Sequence, residues 1–247
     1  VPYSSNYKIN KKGKPSIKAL FTSGNVKDLK VTFLTPEERQ DFKATVLWRE
    51  NRTNGFPRTR VVTCRINNTS TSAPEETFDL QQFCTSEAHA LWFARTAVML
   101  RRTVDHSVSF ETTPQAAMNL QPGDYFRLVS HTTHTSRFDN GSINDEGYIS
   151  ASTPVADGSS ILYWKTGTTG VKTAKIAVEN NRTEQTVLWG SVFTINNTTS
   201  RNRVYKLESL QYADDGLVSV TGSYVPLTSS GTIKYLDWKS TAFAEES

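Results

Sequence analysis

The stretch HTTH, residues 131–134, sets two imidazoles three residues apart, just ahead of an oxygen-rich run from Asp139 to Glu146. Imidazole and carboxylate together suggest a metal site, but the spacing argues against one. His131 and His134 fall in a loop or strand end, and no Glu follows in the pattern a metalloprotease helix needs. Gly141 and Ile143 occupy the third and fifth positions, where an EF-hand loop needs oxygen donors. A solvated loop is the expected structure. Asp214 and Asp215 invite a reading as an acid/base pair, yet adjacent carboxylates in a turn point apart, and Asp-Asp-Gly at 214–216 is a hairpin signal. No nucleophile elbow, P-loop or dinucleotide fingerprint occurs. The expectation is a chain with no catalytic set, no metal site and no cofactor: not an enzyme.

The elements that would position any site are mainly β. FKATVLWRE (42–50), RTRVVTCRI (58–66), HSVSFETT (106–113), GYISAS (147–152), SILYW (160–164) and AKIAVEN (174–180) have strand patterns. So do TVLWGSVFTI (186–195), RVYKLESLQYA (203–213), LVSVTGSYV (217–225) and GTIKYLDW (231–238). TSEAHALWFARTAVMLRR (85–102) is the one convincing helix. Thr85 or Ser86 can cap it, Glu87 suits its positive end and Arg101 and Arg102 its negative end. Ala88, Leu91, Ala94 (or Arg95) and Val98 form its expected apolar stripe, widened by Trp92 and Met99. In MNLQPGDYFRLVS (118–130), Pro122 and Gly123 fit the central positions of a type II turn, and Asp124 can bond nearby backbone. The strand that follows should turn Tyr125 and Arg127 to one face and Phe126 and Leu128 to the other.

Length and composition bound the rest. A chain of 247 residues, 36% hydrophobic and 21% charged, can bury a real core and is not disordered. No apolar run approaches the ~20 residues of a membrane span. No leader with a charged and then an apolar segment is visible, and the chain starts without Met, as a processed chain or a fragment would. Cys64 and Cys84 suggest buried free thiols rather than a framework. The sequons at Asn51, Asn67, Asn68, Asn140, Asn181, Asn196 and Asn197 suggest polar turn chemistry in the absence of a leader. The net charge of +4 owes much to Lys8, Lys11, Lys12, Lys14 and Lys18. Residues 1–40 therefore suggest an extended, solvated arm with one or two strands (IKALFTS, LKVTFL), whose contact with DNA is at most transient. Two faint echoes, CRINNTSTS (64–72) against FTINNTTSR (193–201) and TVLW at 45 and 186, hint at duplication.

Taken together, FCTSEAHALWFARTAVMLRRTVDHSVSFETTPQAAMNLQPGDYFRLVS (83–130) resembles a recurring segment of phage tail hub and tail tip proteins of the host-specificity protein J type. The matching positions include Cys84, Ala88, Ala94, Arg101, Val108, Ser109, Phe110, Leu120, Pro122, Gly123, Asp124, Arg127 and Leu128. RVYKLESLQYADDGLVSVTGSYVPLTSSGTIKYLDW (203–238), with Asp215 and Gly216 in its acidic turn, is similar to the closing hairpin of those domains. Residues 42–238 are similar to virion structural proteins of cyanophages. The resemblance implies a mainly β (α+β) fold of hub-type β-barrel or sandwich domains with one principal helix. It divides the chain into an arm (1–40), a hub domain with the helix (41–146) and a second β-rich hub domain (147–247). It also implies a virion tail location after assembly in the host cytoplasm, and a ring, expected to be a homotrimer, at the distal tube. Its partners would be tube, tape-measure, tip or fibre proteins. The rival expectations are a carbohydrate- or receptor-binding β-protein using Trp164, Trp189 and Trp238, and a tail-associated hydrolase.

Overall fold

Alternation of apolar and polar residues makes strands the dominant regular structure of the chain. The computed structural model describes residues 13–51, 55–129, 140–151, 154–195, 203–238 and 241–246. In chain order the elements begin with β1 (Ile17–Phe21), β2 (Lys27–Phe33), β3 (Lys43–Glu50), β4 (Arg58–Ile66), β5 (Glu75–Asp79), α1 (Glu87–Thr103) and β6 (His106–Thr112). After the short α2 (Pro114–Ala117) come β7 (Tyr125–Leu128), β8 (Asn140–Ile143), β9 (Ile149–Ala151), β10 (Ser160–Lys165) and β11 (Lys172–Lys175). The remainder is β12 (Val178–Glu179), β13 (Arg182–Thr183), β14 (Ser191–Ile195), β15 (Arg203–Tyr212), β16 (Val218–Val225) and β17 (Phe243–Glu246). The fold is mostly β with one main helix, as expected.

The chain forms two compact units, each made of separate stretches of the sequence. One takes Leu34–Asp105 and Pro226–Ser247 with the stretch up to Lys14; the other takes Pro15–Phe33 and His106–Val225. This differs from the contiguous division at residues 41 and 147. The reason is pairing at long range: β1 pairs with β7 and β2 with β6, so the two strands expected within residues 1–40 belong to a sheet with residues 106–128.

In the first unit a four-stranded sheet has the order β17-β4-β3-β5, with β3 parallel to β5 and the other pairs antiparallel. Helix α1 packs on it through Ala90, Ala94, Val98 and Met99. Ala88 and Trp92 are exposed, so the buried stripe is rotated from the expected one toward the 90–94–98 spacing. Ser86 is the N-cap, but its hydroxyl makes no capping bond.

Cys64 and Cys84 are buried free thiols. Burial, reinforced by the Glu245 carboxylate and opposed by Arg95, pushes the Cys64 thiol up to about 12. Because the folded pKa is raised, the neutral thiol favours the fold below the unfolded pKa, and that contribution fades as pH rises from about 9 through about 12. Native protein at pH 8 should therefore resist alkylation at Cys64, and denaturant without reductant should release both thiols. Intact mass after alkylation checks this; rapid native labelling of Cys64 would contradict it.

In the second unit a six-stranded sheet runs β1-β7-β15-β16-β6-β2, parallel at β1–β7 and antiparallel elsewhere. Its two edge strands are consecutive in the chain, so the sheet must curl. Phe21 of β1 lies with its ring centroid 4.9 Å from Phe110 of β6, and Asn25 in the β1–β2 connection accepts the Thr112 hydroxyl at its carbonyl, 2.8 Å. The curl stops short of closure. Among the described residues no sheet closes into the barrel that was one of the expected forms. A five-stranded antiparallel sheet, β11-β10-β14-β8-β9, and the small β12–β13 hairpin complete the unit. Trp164 of β10 and Val192 of β14 join the core of the six-stranded sheet.

Candidate assembly site: the PGD turn and the strands it orders

Pro122 and Gly123 form the expected turn. The Asp124 amide donates to the Gln121 carbonyl, 3.0 Å, and Gly123 has φ +97° at the third position, which defines type II. Asp124 is its fastener: its carboxylate accepts the Gln121 amide at 2.9 Å and pairs with the Lys18 ammonium of β1 at 2.7 Å. The turn is also bonded to β15. The Gly123 amide donates to the Leu207 carbonyl, 2.7 Å, and the Leu207 amide to the Asp124 carbonyl, 2.8 Å, beside the irregularity between Leu207 and Ser209.

The faces of β7 are as the alternation dictates. Phe126 and Leu128 are fully buried. The Phe126 ring stacks on Tyr205 at 5.7 Å and meets Phe21 and Phe110 edgewise at 5.3 and 5.9 Å. On the other face, Arg127 has its pKa pulled below the ordinary arginine value by desolvation. Next to this apolar cluster lies a buried polar one that no local pattern marks. His106 Nε2 sits 3.0 Å from the Tyr205 hydroxyl, and the His106 ring stacks on Tyr224 at 4.6 Å. Only pairing β6 with β16 and β16 with β15 brings these side chains together.

The other positions of the resemblance serve the fold. Phe110 and Leu120 are core. Cys84 donates its thiol to the Ser86 carbonyl, 3.2 Å, just ahead of α1. Ala88 is exposed and holds nothing in place. Arg101 binds Glu76 of β5 with both guanidinium amino groups and lies 4.1 Å over the Phe42 ring. Asp215 accepts the Leu217 amide at 3.0 Å, and Gly216, at φ +79°, donates to Ala213, completing a three-residue hairpin loop. Asn140 and Asn181, two of the sequon residues, work internally. Asn140 accepts the Ser23 amide at 3.0 Å, and Asn181 donates to the Ile149 carbonyl at 2.9 Å. His131 and His134 lie outside the described residues.

Two expected outcomes arise here. A Cβ at Gly123 would meet nothing within 4 Å, so its cost is backbone strain alone. Gly123→Ala should lose about 1 kcal/mol and Gly123→Val more, because a β-branched residue tolerates positive φ least. Unchanged thermal melts for both would remove the turn's role. Arg101→Ala should lose about 1–2 kcal/mol, from a partly exposed ion pair plus a ring contact. Arg101→Lys, keeping charge but not the planar fork, should fall between Arg101→Ala and the parent in urea denaturation.

No family model matches the chain, and no curated protein matches it significantly. It is similar to a chain in the virion of a native gene transfer agent particle, at 11% identity and TM-score 0.46, over 86% of this chain and 33% of that one. It is also similar to a tail protein of Neisseria meningitidis MC58 at 9% identity and TM-score 0.32, over 90% of this chain and 47% of that one. A third is the 43 kDa tail protein of prophage MuSo2 from Shewanella oneidensis, at 10% identity and TM-score 0.29, over 86% and 45%. The chain thus spans a third to a half of the chains it is similar to.

Proposed function

We propose that the chain is a non-catalytic structural component of a phage tail, at the hub or tip, where it forms a ring on the distal tube. One observation carries this reading. The two segments that resemble hub proteins, 83–130 and 203–238, lie far apart in sequence, yet strand β7 of the first and strand β15 of the second are neighbours, locked by the Gly123–Leu207–Asp124 backbone bonds. A resemblance split across the chain would not have to meet in space. Their meeting in space supports reading the quoted residues as one structural unit of this chain.

In this reading the chain is a homotrimer that contacts tube, tape-measure and tip or fibre proteins, since a ring needs a heterologous interface whose rotation closes. The isolated chain can be monomeric, because mass action decides whether a weak interface forms without its partners. A reconstruction of the intact particle tests it. Three copies at the distal tube are expected. A single copy, six copies in a tube ring, or density on the capsid would overturn the hub position.

A further inference from the structure

Away from the sheet cores, the β12–β13 hairpin borders a cleft of about 400 Å³. We infer that this cleft binds a neutral pyranose saccharide, with Tyr148 as its stacking surface, Trp189 as its wall and Arg182, Glu179, Glu184 and Asn180 as its hydrogen-bonding groups.

The cleft is built from rigid pieces. Asn180 and Asn181, at φ +51° and +61°, make the two-residue turn that joins β12 to β13. A single bridge pairs Tyr148 with Arg182, and the Thr183 amide donates to the Gly147 carbonyl, 2.9 Å. The Trp189 indole lies on the bare face of Gly147, where a Cβ would come within 2.3 Å of Nε1, and Nε1 donates to the Thr183 carbonyl at 3.3 Å. Arg182 is held by its Nε, which donates to the Glu146 carbonyl at 2.6 Å. Its guanidinium carbon stands 5.5 Å from the Tyr148 ring centroid and 5.1 Å from that of Trp189.

The chemistry of the lining selects the ligand. Among the described residues its apolar surface comes from Tyr148 and Trp189, with no aliphatic side chain, which suits the C–H face of a sugar ring better than a peptide side chain. Tyr148 is 46% exposed, so its ring is available. Among the described residues Glu179 and Glu184 form no ion pair, and the amino groups of Arg182 have no carboxylate partner. Acceptors and planar donors therefore face the same space, as vicinal hydroxyls require. With two carboxylates and a guanidinium on one lining, neither sign of ligand charge meets a uniform field, whereas hydroxyls can both donate to the carboxylates and accept from the guanidinium. A neutral polyol remains, and the volume is within the range of small-ligand clefts.

The full 247-residue chain should bind neutral oligosaccharides on a printed array of neutral and sialylated glycans. The best neutral glycan is then titrated by tryptophan fluorescence. Tyr148→Ala should weaken binding about tenfold, the scale of one lost ring contact. Glu184→Gln should weaken it less, and both variants should keep the parent's melting curve. No binding to any neutral glycan, preference for sialylated ones, or binding unchanged in Tyr148→Ala would overturn the assignment. None of these results bears on the copy number at the tail, so the saccharide site and the assembly role stand or fall separately.

Discussion

Replacing Phe126 with Ala should remove about 3–5 kcal/mol of stability, the largest loss expected of any single core truncation in the six-stranded sheet. The ring is fully buried and touches three other aromatic rings, from β1, β6 and β15. Truncation removes buried apolar area and leaves a hole that Phe21, Phe110 and Tyr205 cannot all move to fill, because each is fixed in its own strand. Tyr205 also carries the hydroxyl that meets His106, so a shifted ring would disturb a buried polar contact as well. Phe126→Leu keeps most of the volume and should lose about 1–2 kcal/mol. Chemical denaturation of the two variants against the parent measures both. A loss below about 1.5 kcal/mol for Phe126→Ala would show that the site collapses freely, and that the aromatic cluster is not the organising centre of this sheet.

Phe126 was legible because local pattern and tertiary role agree: a Pro-Gly-Asp turn, then strict alternation, places it inward whatever it packs against. The same agreement made β4 readable to its residue limits, Arg58–Ile66, and the hairpin at 214–216 readable from its turn residues. Where the two diverge, pattern misleads. TVLW is strand in β3, but at 186–188 it forms a 3₁₀ turn that buries Leu188 and leaves Val187 exposed. Identical residues take the structure their neighbours permit, so the TVLW echo is one of sequence and not of structure; the echo at 193–201 lies largely outside the described residues. GTIKYLDW likewise folds around a 3₁₀ turn at Lys234–Leu236, with the Trp238 indole donating to the Tyr235 carbonyl at 2.9 Å. AKIAVEN is broken into β11 and β12 around the buried Ile176.

Side-chain roles followed the same division. Among the three tryptophans considered for binding, Trp164 is core, Trp238 packs on Trp92 of α1, and Trp189 borders the cleft. Nothing in their local sequence separates them, because each follows a strand-like apolar run. The His106–Tyr205–Tyr224 cluster was invisible for a related reason. Its members occupy three strands, and neither the order of those strands nor their register follows from alternation.

Gly141→Ala should cost about 3 kcal/mol or more, well above the loss at Gly123. A Cβ at Gly141 would stand 2.0 Å from the Ser150 carbonyl oxygen and 3.2 Å from the Ala151 Cα, both backbone atoms of the β8–β9 region. Backbone in a paired strand cannot step aside without breaking the Gly141–Ala151 and Ser142–Ser150 pairing. The β1–β2 connection closes in as well: the Thr22 hydroxyl donates to the Gly141 carbonyl at 3.1 Å, and a Cβ on Gly24 would lie 3.3 Å from that same carbonyl group. Gly141 is thus where the turn after β1 and strand β9 approach one strand of the five-stranded sheet, and a hydrogen atom is the only side chain that fits. At Gly123 a Cβ meets open space, so only conformational strain opposes it. Parallel urea denaturation of Gly141→Ala and Gly123→Ala decides the ranking. A loss at Gly141 equal to or smaller than that at Gly123 would mean that β8 and β9 separate readily, and that the glycine in the DNGS stretch answers to turn propensity rather than to packing.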